Sequence, residues 1–133
     1  YIISYLIIYI LIITLFTFSI LTGYYLLKTN SLKKGIKYSF INQFLQLVQF
    51  GILGSGLYFV AGPYLSFGFS TNPNLHLITD FSIFRSSCYI SFFAKNGTYV
   101  SFNVVAAIIL MYLYLVWGYI KTSEKEIADV AQK

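Results

Sequence analysis

Charge is what this sequence has least of. Its 133 residues include nine Lys and Arg, four Asp and Glu and one His, so charged side chains make up 10% of the chain. Soluble domains carry about 25%, and one of this size leaves roughly a third of its chain surface in water. So few charges cannot cover that surface, which excludes an ordinary soluble globule. Cysteine is equally scarce. Cys88 stands alone, which excludes an intrachain disulfide framework and paired-cysteine metal spacing, and it reads as small apolar filler rather than a reactive thiol. Familiar catalytic patterns are missing too. There is no Gly-x-Ser-x-Gly elbow, Walker loop, His-Glu-x-x-His or Gly-x-Gly-x-x-Gly, and His76, the single histidine, has no partner base or ligand set. The expectation is a chain that is not an enzyme and uses no cofactor or metal.

What is abundant is apolar and aromatic. Hydrophobic residues make up 58%, with 13 Tyr, 13 Phe and one Trp, which excludes an intrinsically disordered chain. The predicted fold class is an all-α membrane core with a small β element. It comprises three transmembrane helices and a short β-hairpin or β-sheet cap between helices 2 and 3, in one polytopic domain over 1–133.

The first span is predicted at 1–27. It is free of charge, its polar atoms are mostly hydroxyls, and Tyr24, Tyr25 and Lys28 close it as an interfacial anchor. It exceeds the roughly 20 helical residues that cross a bilayer core, and is too long for a signal-peptide apolar region, so it reads as a retained span. A Lys-rich loop follows at 28–37, with Lys28, Lys33, Lys34 and Lys37 and no acid. The second span is predicted at about 38–62, before Pro63. Asn42, Gln46 and Gln49 would share one helical face with Gln43 beside it, while Gly51 and Ser55 have the spacing of close helix contacts. That set is the candidate helix-packing or polar-path face. Carboxamides against lipid are costly unless satisfied, so interhelical hydrogen bonding is favoured over permeation.

The outer segment, 63–98, alternates apolar and small residues at Leu65, Phe67 and Phe69 and again at Ile90 and Phe92, the pattern of half-buried strands. Strands are predicted near 65–69 and 77–84. A hairpin of about 88–94 with 98–102 would turn on Asn96-Gly97, a strong type I′ signal. Asn96-Gly97-Thr98 also has the form of a glycosylation acceptor, but the turn explains those residues. Candidate contacts here are His76, Asp80 and Arg85. His76 and Asp80, four apart, would face together on a helix and could share a proton or a metal; on a strand they would share a face but stand too far apart to touch, and surface or turn roles are favoured. Asp80 and Arg85 would pair across a turn, a weak exposed pair being favoured over a ligand site. The third span is predicted at about 99–120, opening near Asn103 and ending at Trp117, Tyr119 and Lys121. A polar helical tail follows at 121–133, either capped anew at Ser123 and Glu126 or continuing the helix.

Seven of the nine basic residues fall in the Lys loop and tail. By the positive-inside rule these regions are cytoplasmic and the N-terminus is outside, in a bacterial or organellar inner membrane. The net charge of +5 is thus a topology device, without the basic groove expected of a nucleic-acid binder. None of the three predicted spans carries a charge at its middle, which weighs against a proton-coupled carrier. The leading expectation is a non-catalytic accessory or structural subunit whose partners are the lipid bilayer and other membrane subunits, with neither nucleic acid nor an identified small-molecule substrate. The alternatives are a small homo-oligomeric channel or transporter lined by the amides, and an envelope immunity or ligand-binding protein acting through the outer segment.

Overall fold

The computed structural model describes residues 2–28, 31–52, 55–71, 74–91 and 98–131. Helices α1 (Ile2–Leu27), α2 (Leu32–Leu47) and α3 (Val104–Ala131) enclose, between α2 and α3, the strands β1 (Val48–Ile52), β2 (Ser55–Ser70), β3 (His76–Ser91) and β4 (Tyr99–Asn103).

α1 and α2 form an antiparallel hairpin. Its tight approach depends on Gly35, where a Cβ would lie 2.8 Å from the backbone of Tyr25 and Leu26. Ser19 Oγ donates to Asn42 Oδ1 at 2.7 Å, and Tyr38 meets the rings of Phe18 and Tyr25 edge-on. α3 runs antiparallel to α2, so that Glu124 near its far end pairs with Lys33 at the start of α2. Ile36, Ala106 and Leu113 are buried where the helices meet. Two helices, over Tyr5–Leu27 and Val104–Asp129, are long and apolar enough to cross a membrane. Their outward residues, such as Ile20 at 74% exposure, are strongly apolar.

The second predicted span is corrected. α2 stops at Leu47 after 16 residues, about 24 Å at 1.5 Å per residue, short of a bilayer core of about 30 Å. From Val48 the chain is extended. Val48, Phe50 and Ile52 alternate with Gln49 and Gly51, a period of two that a helix cannot sort onto faces. Glycines at 51 and 56 further weaken the helix. An apolar run alone does not distinguish helix from buried strand. The third span is shortened at its start for a local reason: Tyr99–Asn103 is β4, and Asn103 caps α3 by accepting the N–H groups of Val105 at 3.1 Å and Ala106 at 3.3 Å. Beyond Lys121 the helix runs on unbroken through Ser123 and Glu126 to Ala131.

The expected strands near 65–69 and 77–84 lie within β2 and β3 and pair with each other, Leu65 opposite Phe81 and Phe69 opposite Leu77. The hairpin expected between 88–94 and 98–102 is corrected. β4 pairs instead with β1, Gln49 opposite Ser101, and with β2, Gly68 opposite Ser101. Asn96 and Gly97 lie outside the described residues. The sheet order is β1-β4-β2-β3, with β1 also paired to β2. β2 is long enough to meet β1 near Leu57 and β4 near Phe67, so these three strands close on one another.

At the middle of β2 the register shifts. Gly62 is opposite Arg85 but Tyr64 is opposite Ser82, so Pro63 faces both Ile83 and Phe84, an extra residue on β3. Gly62 has φ +119°, a conformation open to glycine and strained for other residues. The extra residue reverses which side of the sheet the following β3 residues occupy.

Candidate functional site: a polar face folded inward

Pleating sends alternate residues to opposite sides, and here the two sides differ sharply in chemistry. One side carries Gln49, Tyr64, Ser66, Ser101, Asn103, Asp80 and Arg85; the other carries Phe59, Leu65, Phe67, Phe69, Leu77, Phe81 and Phe102. The polar side faces inward except at its rim, where Asp80 is exposed. Gln49 is 0% exposed, and Tyr64, Ser66, Ser101 and Asn103 are all buried. The apolar side is buried only where Phe59 meets Phe16 of α1, ring centroids 5.6 Å apart. Further along it is open, with Phe81 66% exposed. This inverts the usual arrangement of a half-solvated antiparallel sheet, which packs its apolar face and wets its polar one.

Gln49, Tyr64, Ser66 and Ser101 form one network. Gln49 Oε1 lies 2.8 Å from the Tyr64 hydroxyl and 3.1 Å from the Ser101 hydroxyl, both donors. Tyr64 has one proton and gives it to the carbonyl, so Ser66, 2.7 Å away, donates to Tyr64. Next to this, Gln46 Oε1 accepts the Ala61 N–H at 2.9 Å, tying the last turn of α2 to β2. The amide nitrogens of Gln46 and Gln49 are buried without a partner among the described residues.

Arg85 reaches the same centre from β3. Its guanidinium sits 5.4 Å from the ring centroids of both Tyr58 and Tyr64 and pairs with Asp80. Five residues apart on a regular strand, these two would point to opposite sides; the extra residue at 83–84 brings them to one side. Desolvation pulls the Arg85 pKa down, but the Asp80 hydrogen bond and the neighbouring phenols outweigh it and hold it above its ordinary value. Burial, then Tyr64, pushes the Tyr58 hydroxyl up, and burial pushes the Cys88 thiol up. The centre therefore has a committed cation in Arg85 beside a Tyr58 phenol held protonated.

The candidate residues read from sequence part company here. Asn42 and Gln46 share the inward face of α2, but Gln49 belongs to β1, so the predicted helical face loses its third member. Gln43 lies half-buried on α2 outside the network. Gly51 does make a close approach, though to the ring of Tyr99 rather than to a helix, and Ser55 is exposed at the start of β2. His76 is exposed, its Nδ1 2.7 Å from the Asn74 carbonyl, apart from Asp80. No His, Cys, Asp and Glu grouping among the described residues could hold a metal. Tyr64 joins the amide set to Arg85, two groups that sequence reasoning kept separate. It was missed, with Ser66, Ser101 and Asn103; the signal available was the polar half of the same alternation that identified the strands.

Protein-family models, curated proteins and solved structures were all compared with the chain, and none matches it.

Proposed function

We propose that the chain is a non-catalytic accessory or structural subunit of a larger membrane complex, and that the open aromatic side of its sheet is the surface that meets a neighbouring subunit. The observation that carries this reading is the inverted sheet. Phe67, Phe69, Leu77, Phe81 and Phe102 form a contiguous apolar face with every member at least 46% exposed, and such patches mark interaction surfaces. β3 is also an edge of the sheet. A 16-residue edge strand is a template for pairing with another chain, whereas open edges do not face lipid. Protein therefore suits this face better than acyl chains do.

In this reading α1 and α3 hold the subunit in the membrane, with its N-terminus outside and the Lys loop and C-terminus on the cytoplasmic side. The Lys33–Glu124 contact supports that topology, because it keeps the Lys loop and the end of α3 together. The channel alternative has less support. The carbonyl oxygens of Asn42, Gln46 and Gln49 are already engaged by Ser19, Ala61, Tyr64 and Ser101, and so serve internal cohesion. Native electrophoresis of membranes solubilised in mild detergent tests the subunit reading. Co-migration with a larger assembly is expected, and Phe67→Ser with Phe81→Ser should release the chain from it. Recovery of the unaltered protein only as a free monomer would sink the idea.

A further inference from the structure

A second apolar surface lies at the other end of the molecule. Between α2 and α3 runs a groove of about 510 Å³ lined by Ile36, Lys37, Phe40, Ile41, Tyr114 and Trp117, within the size range of small-ligand sites, about 300–1,000 Å³. All of its walls are apolar or aromatic except at Lys37. Because the helices are antiparallel, Lys37 and Trp117 stand at the Lys-loop end, while Ile41 and Tyr114 lie one turn further toward the sheet.

Cations gather at that mouth. Lys33 and Lys34 lie one turn before Lys37 on α2, and Lys121 lies one turn beyond Trp117 on α3. The nearest acid, Glu124, is engaged by Lys33, and residues 28–37 contain no acid of their own. Lys37 and Lys121 are exposed. From mouth to floor, the groove thus presents positive charge, then an indole at interfacial depth, then an aliphatic and aromatic trough.

We infer that this groove binds an anionic phospholipid, its phosphate on Lys37 and Lys121 and one acyl chain laid along Phe40, Ile41 and Tyr114. The order of groups in the groove matches the order of groups in such a lipid, and basic pockets beside membrane helices favour anionic headgroups. Trp117 occupies the headgroup boundary, where indoles concentrate. The inference rests on the membrane placement of α1 and α3 and is independent of the subunit reading.

Trp117 is the only tryptophan in the chain and so reports on its own groove. The full chain, reconstituted in phosphatidylcholine vesicles, is excited at a wavelength selective for indole. Phosphatidylglycerol or phosphatidylcholine brominated along the acyl chain is then titrated in. The brominated phosphatidylglycerol is expected to reach half-quenching at about a fivefold lower mole fraction than brominated phosphatidylcholine for each lysine engaged. Lys37→Gln should shrink that preference by about fivefold, while Lys125→Gln, which removes the same charge from the tail, should leave it intact. Equal quenching by the two lipids, or equal effects of the two substitutions, overturns the groove. Failure of the protein to float with the vesicles overturns the membrane placement as well. Flotation without a phosphatidylglycerol preference overturns the groove alone.

Discussion

Replacing Tyr64 with Phe tests whether the inward polar face holds the fold together. The change removes one oxygen and leaves the ring, so the ring's approach to Arg85 at 5.4 Å and to Tyr58 at 6.0 Å is preserved. Two buried hydrogen bonds disappear, to Gln49 Oε1 at 2.8 Å and to Ser66 Oγ at 2.7 Å. Gln49 Oε1 still receives Ser101, whereas Ser66 loses the acceptor it has in the wild type. At about 0.5–1.5 kcal/mol net for each bond, Tyr64→Phe should cost about 1–3 kcal/mol. The assay is unfolding of the purified chain in neutral micelles by added dodecyl sulfate, followed by near-ultraviolet circular dichroism. Tyr112→Phe is the control: Tyr112 is 65% exposed, and exposed substitutions usually fall within about 0.5 kcal/mol of wild type. Ser66→Ala and the double variant close a cycle in which the double variant should cost less than the sum of the two single changes, because the two hydroxyls share a bond. If Tyr64→Phe is no more damaging than Tyr112→Phe, the network does not hold the sheet and the inverted arrangement has been misread.

Two glycines should respond with opposite signs. Gly35→Val drives a side chain into the α1 backbone and should destabilise by about 1–3 kcal/mol. Gly118→Ala meets no atom within 4 Å and should stabilise by up to about 1 kcal/mol through helix propensity, both read in the same unfolding assay. Burial holds the Cys88 thiol above its ordinary pKa, so alkylation by iodoacetamide should keep accelerating beyond about pH 9.5, a unit above the free-thiol pKa, where a free thiol has levelled off. The same shift means that this thiol's contribution to stability is present below about pH 8.5 and lost as pH rises beyond it; an alkylation profile matching that of free cysteine contradicts the burial. In a Cys88→Ser background, Lys33→Cys with Glu124→Cys should be bridged by a short bismaleimide rather than by a direct disulfide, since the two long side chains meet at their charged tips. Absence of the crosslink would separate the Lys loop from the end of α3.

Local signals sufficed where a segment had one consistent pattern. The uncharged run of α1 and the aromatic-then-lysine ending of α3 are properties of composition and order, and the structure keeps both as long apolar helices. The alternation at Leu65, Phe67 and Phe69 likewise marked β2 before any partner was known. The run from Tyr38 to Gly62 was different, because it joins a helix to two strands with no break in hydropathy. Its amides looked like one helical face, and Gln49 belongs to another element altogether. The aromatic and amide residues were visible one by one, but their relation across the sheet was not.

Composition and charge order determined the scarcity of wettable surface, the grouping of cations, and the absence of familiar catalytic motifs, because each is read along the chain. Which side of each strand turned inward was decided only by long-range pairing. β1 and β4 close against β2, and one extra residue near Phe84 re-phases β3, bringing Arg85, Asp80, Tyr64 and Gln49 to a common centre. A period of two separates polar from apolar, but it carries no sign; burial supplies the sign, and burial depends on partners far along the chain, 52 residues apart for Gln49 and Ser101.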